Sequence, residues 1–245
     1  MITVILVSSV LPTHPDTSII DETYASIRHH LPDAEIILQL DGIREEQEDR
    51  KADYDEYKKI ILWKCLHEWT NVLPVVFEEF SHQSNMMKAT IDMVKTPLIL
   101  YMEGDCPLVT DCEIDWQACT SLITSGEANT IRFHFEASIL KPHEHLMKAR
   151  HGNFLQTIQW SQRPHLSSTI YYKDTVLPTV SDKLFIEDTF HGLVQDDYST
   201  SGLLGWYKHR LWIYHPDGNI KRSHTLDGRA GGKKFTSDDE VWATG

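Results

Sequence analysis

The sequence predicts an open α/β sheet within a single domain, on three observations. Apolar runs of strand length alternate with amphipathic helical segments through about the first hundred residues. Those runs are uniformly apolar, as when helices cover both faces of a parallel sheet. Polar punctuation falls at strand ends, at Pro12-Thr13, Asp41 and Glu103/Asp105, and in such sheets ligands bind outside the carboxyl ends of the strands.

Val4 to Val7 gives the first strand, followed by a loop from Ser8 to Asp16 containing Pro12 and Pro15. Asp16, Thr17 or Ser18 can cap the next helix, whose Ile20, Tyr24, Ile27 and Leu31 recur at helical spacing before Pro32 stops it. Glu35 to Leu40 reads as the second strand, ending at Asp41-Gly42. Arg44 to Trp69 is charged and then amphipathic, hence largely helical; Val72 to Phe77 is a third strand and His82 to Val94 a helix. Pro97 to Met102 is the fourth strand. The rhythm then changes: a helix over Ile114 to Ile123, a strand over Thr130 to Phe135, and a strand-like aromatic stretch over Thr157 to Tyr172. A helix over Phe185 to Val194 and a strand over Leu211 to Tyr214 follow. From His215 onward the Gly-, Asp- and basic-rich chain reads as a loop or flexible tail.

Composition narrows the class. A chain of 245 residues, 41% hydrophobic and 24% charged, can bury a proper core. No apolar run reaches bilayer-spanning length, and Met1 to Val7 reads as a buried strand rather than a secretory signal, so no membrane insertion and a cytoplasmic location are expected. Cys65, Cys106, Cys112 and Cys119 have no C-x-x-C spacing and read as reduced thiols. The net charge of -13 opposes binding to a polyanion. Basic residues gather only after Gly202, where seven Lys or Arg meet five acids.

The densest chemistry lies where the fourth strand ends in Glu103-Gly104-Asp105. Glycine lets the backbone turn between the acids and Pro107 prevents the strand from continuing, so both carboxylates can face one crevice. Magnesium and manganese take oxygen ligands and leave positions free for substrate phosphates, so two carboxylates at a strand terminus suit a divalent ion holding a diphosphate.

Taken in order, Val4 to Val7 then Pro12, Asp41, Glu103-Gly104-Asp105 and Glu187-Asp188 resemble the pattern of nucleotide-sugar glycosyltransferases of the GT-A fold, the family-2-like inverting enzymes in particular. The resemblance spans about residues 2 to 215, although the family more often has Asp where Glu103 stands. Asp115-Trp116, Gln159 to His165 and Ile213 to Pro216 also resemble small glycosyltransferases encoded by bacteriophages. The resemblance implies a GT-A type Rossmann-like open mixed sheet, with residues 1–110 as the nucleotide-sugar half, 111–215 as the acceptor half and 216–245 as a tail loop. It implies a UDP-sugar donor bound by Pro12, Thr13, Asp41, Glu103 and Asp105, with Asp41 accepting from the uracil N–H. Mn2+ or Mg2+ would sit on Asp105, with Glu103 near the ribose or at the metal through water, and with His215, or else His224, as a further ligand. Lys221, Arg222 and Arg229 would clamp the diphosphate. Asp188, beside Glu187, would be the base that takes the acceptor proton, and Trp160, Gln162 and Arg163 would form the acceptor surface.

The residues taken by themselves leave other readings open. Asp41 is also a turn-former before glycine, Glu187-Asp188 also suits a helix N-terminus, and Trp160 also suits a core. A nucleotidyltransferase would need a Gly-rich basic first loop, and Ser8 to Asp16 has neither Gly nor Lys. No G-x-x-x-x-G-K or G-x-G-x-x-G follows the first strand. Transfer to a protein or glycan hydroxyl is expected, with hydroxymethylated pyrimidines of phage DNA as the alternative acceptor and a non-catalytic sugar-binding module as the rival of another class.

Overall fold

In the computed structural model, which describes residues 1–216, 220–227 and 233–234, nine strands form one mixed sheet in the order β3-β2-β1-β4-β8-β5-β9-β7-β6. The first half comprises β1 (Ile2–Ser8), α1 (Ser18–His30), β2 (Glu35–Leu40), α2 (Lys51–His67), β3 (Val72–Val76), α3 (His82–Thr90) and β4 (Leu98–Glu103). Its four strands pair in parallel. The second half comprises α4 (Trp116–Thr124), β5 (Thr130–Phe133), β6 (Met147–His151), β7 (Phe154–Thr157) and β8 (His165–Ser168). It continues with α5 (Thr169–Tyr171), α6 (Leu177–Thr179), α7 (Ile186–Ser201), α8 (Leu203–His209) and β9 (Leu211–Tyr214). Here β8 runs antiparallel between β4 and β5, which makes the sheet mixed.

The central strands are apolar throughout because both of their faces are covered. Val4, Ile5, Leu6, Ile36, Leu38, Ile99 and Leu100 are all fully buried. At the sheet edge, β3 leaves Leu73 and Val76 partly exposed and carries Pro74, tolerable where a strand has one unpaired side. Among the described residues no helix is long and apolar enough to cross a membrane, and all four cysteines are free thiols.

One expectation is corrected and two features go beyond those expected. The aromatic stretch before Tyr172 is strand only over β8. Ser168 caps a helical turn by accepting from the Tyr171 amide (3.4 Å), so Tyr171 and Tyr172 enter the core from helical backbone. The β6–β7 hairpin was not anticipated, although Gly152-Asn153 is a two-residue turn signal and Gly152 has φ +54. Where it is described, the segment after His215 is largely loop, as expected, and it is tied to the fold. Residues 220–227 run along the acid turn, with Val109 N–H donating to Arg222 O (3.0 Å), His224 N–H to Pro107 O (3.0 Å) and Leu226 N–H to Asp105 O (2.7 Å).

Burial also sets an acid limit on this fold. His165 is fully buried between Arg163 O (2.8 Å) and the Tyr172 hydroxyl (3.1 Å), and burial pushes its ring down to about 4; His14 is likewise pushed down to about 4. The unfolded chain therefore binds more protons between the unfolded value of 6.5 and about 4. Stability is complete above that window and falls as pH drops through it, by ~3 kcal/mol for His165. Urea midpoints at about pH 7 and about pH 4.5 should differ accordingly, and a flat profile would refute the buried neutral rings.

Candidate active site

The parallel strands deliver their carboxyl ends to a cavity of about 590 Å³, within the range of small-molecule sites. Its walls are the loop after β1 (Ser9 to Pro12, with His14), the end of β2 at Asp41 and Gly42, the entry to α3 at Phe80, His82 and Gln83, the turn Glu103 to Asp105, and Phe185. Arg44 and Arg50 face it from the chain after β2.

The acid turn is fixed by long-range contacts. Gly104 N–H donates to Val7 O (2.7 Å), and a Cβ at Gly104 would come 3.2 Å from that oxygen. Thr23 Oγ1 on α1 donates to Gly104 O (2.7 Å), while Ser26 Oγ, one turn on, accepts from Leu108 N–H (3.2 Å). Glu103 and Asp105 are thereby held at the crevice with Cys106, the ligand atoms of all three lying within 4.8 Å of one another. The Cys106 Sγ is 3.5 Å from Asp105 Oδ1 and 3.9 Å from Glu103 Oε2. Two carboxylate oxygens beside a cavity are a donor set that fits a divalent cation, with the thiol as a softer third donor. Without a cation, these acids would repel a diphosphate.

Asp41 is almost completely buried at 2% exposure. Its Oδ1 accepts from Gly42 N–H (2.8 Å) and Ser81 N–H (2.8 Å), and its Oδ2 from His82 N–H (3.1 Å). It thus ties the end of β2 to the start of α3, where His82 is held at φ +63. Burial raises its pKa and the three amides oppose that rise. Gly42 is required here, because a Cβ would lie 2.1 Å from the Glu79 carbonyl carbon.

Pro12 lines the cavity, whereas Thr13 turns its carbonyl to the Asp16 amide (3.0 Å). The His14 ring stacks on Tyr57 at 3.8 Å and on Tyr54 at 5.2 Å, making an aromatic flank that the sequence reading missed.

Directly after Phe185 of the cavity wall, α7 opens with Ile186, Glu187 and Asp188. Glu187 Oε2 accepts from Gln162 N–H (2.8 Å) and lies beside the buried Arg132, whose pKa burial lowers to about 10 while Glu187 and Glu136 counter that fall. Asp188 is exposed, and its charge reaches His82 in the cavity wall. Burial and then Arg44 lower the His82 pKa, against Asp41 and Asp188.

The remaining candidates are dispersed. Trp160 is 2% exposed, with its ring edge-to-face on Phe190 at 4.7 Å and its Nε1 donating to Gln162 Oε1 (3.3 Å). It is a core residue, and the expected acceptor face is spent on packing. Gln162 is buried beside it. Arg163 stands at the acid turn, its Nη1 3.6 Å from Cys106 Sγ and bonded to Thr225 Oγ1, with its guanidinium 4.2 Å over Phe135. His215 meets Arg150 through Nδ1 (3.0 Å) and faces the His134 ring, and the Glu103, Asp105 and Cys106 group does not include it. Arg222 is buried, its Nη1 donating to Ile220 O (2.8 Å), and neither it nor Lys221 lines the cavity. Arg229 lies outside the described residues.

Solved structures share this architecture. Staphylococcus aureus TarS 1–349 in complex with UDP-GlcNAc superposes over 91% of this chain and 57% of its own, with TM-score 0.54 and 11% identity. The mannosyltransferase PcManGT from Pyrobaculum calidifontis, in complex with GDP-Man and Mn2+, covers 88% of this chain and 55% of its own, with TM-score 0.54 and 10% identity. The fold is of the GT-A type. An apo UDP-glucose pyrophosphorylase superposes over 95% of both chains, with TM-score 0.54 and 11% identity. The present chain therefore spans little more than half the length of the two transferases. No protein-family model and no curated protein matches the sequence.

Proposed function

We propose that this protein is a metal-dependent inverting glycosyltransferase that moves a sugar from a UDP-sugar to a hydroxyl acceptor. One observation carries the reading: the two carboxylates of the acid turn line a cavity whose wall at Phe185 leads directly into the N-terminus of α7, where Asp188 is exposed. The TarS and PcManGT structures, with bound nucleotide sugars on the same fold, support it.

In this reading residues 1–110 hold the donor, residues 111–215 shape the acceptor side, and the enzyme works in the cytoplasm. Asp105, with Glu103 beside it, binds Mn2+ or Mg2+. A bound divalent ion neutralises the charge that develops on the leaving diphosphate. Asp41 fixes the floor beneath the uracil, Pro12 and His14 flank it, and Arg163 adds a cation at the acid turn. Asp188 accepts the proton of the acceptor hydroxyl as its oxygen attacks the anomeric carbon. Glu187 anchors that corner through Gln162 and Arg132. The acceptor is a protein or carbohydrate hydroxyl, since the net charge of -13 disfavours DNA.

Radiolabelled UDP-sugar, manganese and enzyme should yield labelled carbohydrate or protein and, slowly, free sugar by hydrolysis. Label incorporated into hydroxymethylated DNA would replace the acceptor assignment with its rival. Binding without hydrolysis or transfer would mark a binding module, and exchange of pyrophosphate into UTP would mark a nucleotidyltransferase.

A further inference from the structure

Gln83 lies in the first turn of α3, only 5% exposed, and its amide joins three elements. Its Nε2 donates to the Tyr101 hydroxyl (2.5 Å) and to Glu103 Oε1 (3.2 Å) on β4, while its Oε1 accepts from the N–H of Ile186 (3.0 Å), the first residue of α7. A backbone N–H can only donate, so Ile186 fixes the orientation of the amide and leaves the NH2 directed at Glu103. Neighbouring residues of α3 hold the same connecting segment: Ser84 Oγ accepts from Leu184 N–H (3.2 Å) and Lys88 Nζ donates to Val180 O (2.7 Å).

We propose that Gln83 is a positioning residue that sets the N-terminus of α7, and with it Asp188, against the metal-side carboxylate Glu103. The inference rests on the glycosyltransferase reading above. Base and metal come from segments 83 residues apart, Asp105 and Asp188, and Gln83 bonds to Glu103 in one segment and to the Ile186 amide in the other. The side-chain amide offers a donor to a carboxylate and an acceptor to a backbone amide at once. Displacing a reacting group by about 1 Å costs on the order of a hundredfold in rate.

Two variants test this. Gln83→Met keeps the length and packing but loses both bonds. Its kcat at saturating donor should fall about a hundredfold, a larger loss than that of manganese-dependent UDP affinity, since Asp105 still holds the ion. Gln83→Glu keeps the acceptor for Ile186 but sets a second carboxylate against Glu103, so it should keep Ile186 bonded and still lose about tenfold or more in kcat. Hydrogen exchange of the Ile186 amide reads the bridge without turnover: it should be protected in wild type and Gln83→Glu, and about tenfold faster in Gln83→Met.

Unchanged kcat in Gln83→Met, or kcat and UDP affinity falling together, overturns the proposal. If Gln83→Met does not fold, Gln83→Glu decides. A kcat about tenfold or more below wild type with Ile186 still protected supports the bridge to Glu103, and a wild-type kcat removes it. A wild-type protein that transfers no sugar refutes the glycosyltransferase reading, whereas the exchange of Ile186 still reports on the bridge.

Discussion

Asp105→Ala is expected to lose metal-dependent UDP binding, with apparent manganese affinity falling about a hundredfold or more. Outer-shell partners of a metal site are worth roughly 10–100-fold, and a direct ligand should be worth at least as much. The change removes only the carboxylate. The turn itself is held by backbone and α1 contacts: Gly104 to Val7, Thr23 to Gly104, and Leu226 to the Asp105 carbonyl. Folding should therefore survive, which calorimetric scanning can verify. Titration calorimetry of UDP with manganese and with chelator reads the loss. Equal UDP binding in both conditions for the wild type, or intact metal-dependent binding in Asp105→Ala, would move the metal site elsewhere. The Glu103→Ala effect should be smaller if Glu103 acts through water or the ribose, and comparable if it binds the ion directly.

What the sequence could disclose depended on the range of the contacts involved. β2 and β9 have their expected bounds because a continuous apolar run between turn signals is local information. The acid turn was legible for the same reason. Its supports were not: Thr23 reaches Gly104 across 81 residues, and Gln83 reaches Ile186 across 103. No local pattern marks a threonine or glutamine as a brace. The aromatic stretch failed by a local rule, since the preference of Tyr171 and Tyr172 for strands gave way to a capping serine. Trp160 illustrates the ambiguity of large aromatics, which suit a sugar face and a core equally until a neighbour such as Phe190 is known. The described part of the tail is largely loop, as its Gly and basic residues signal, but its anchoring was not legible, because it comes from main-chain bonds to Asp105, Pro107 and Val109.

The Asp188→Asn enzyme should keep donor affinity and lose turnover by roughly a hundredfold or more, the usual worth of a general base. Asparagine has the shape of aspartate but cannot accept the acceptor proton. Of the two acids that open α7, Glu187 is engaged by the Gln162 amide and the buried Arg132, so removing it should damage the corner as well as the chemistry. Asp188 is exposed, and the side-chain interaction resolved for it is with His82 across the cavity wall. Its replacement by asparagine should therefore leave the fold unchanged. Single-turnover kinetics with saturating UDP-sugar separates chemistry from binding, and product anomers are read by NMR. Normal turnover in Asp188→Asn would transfer the base role to another group, and a product of retained configuration would exclude a single inverting displacement.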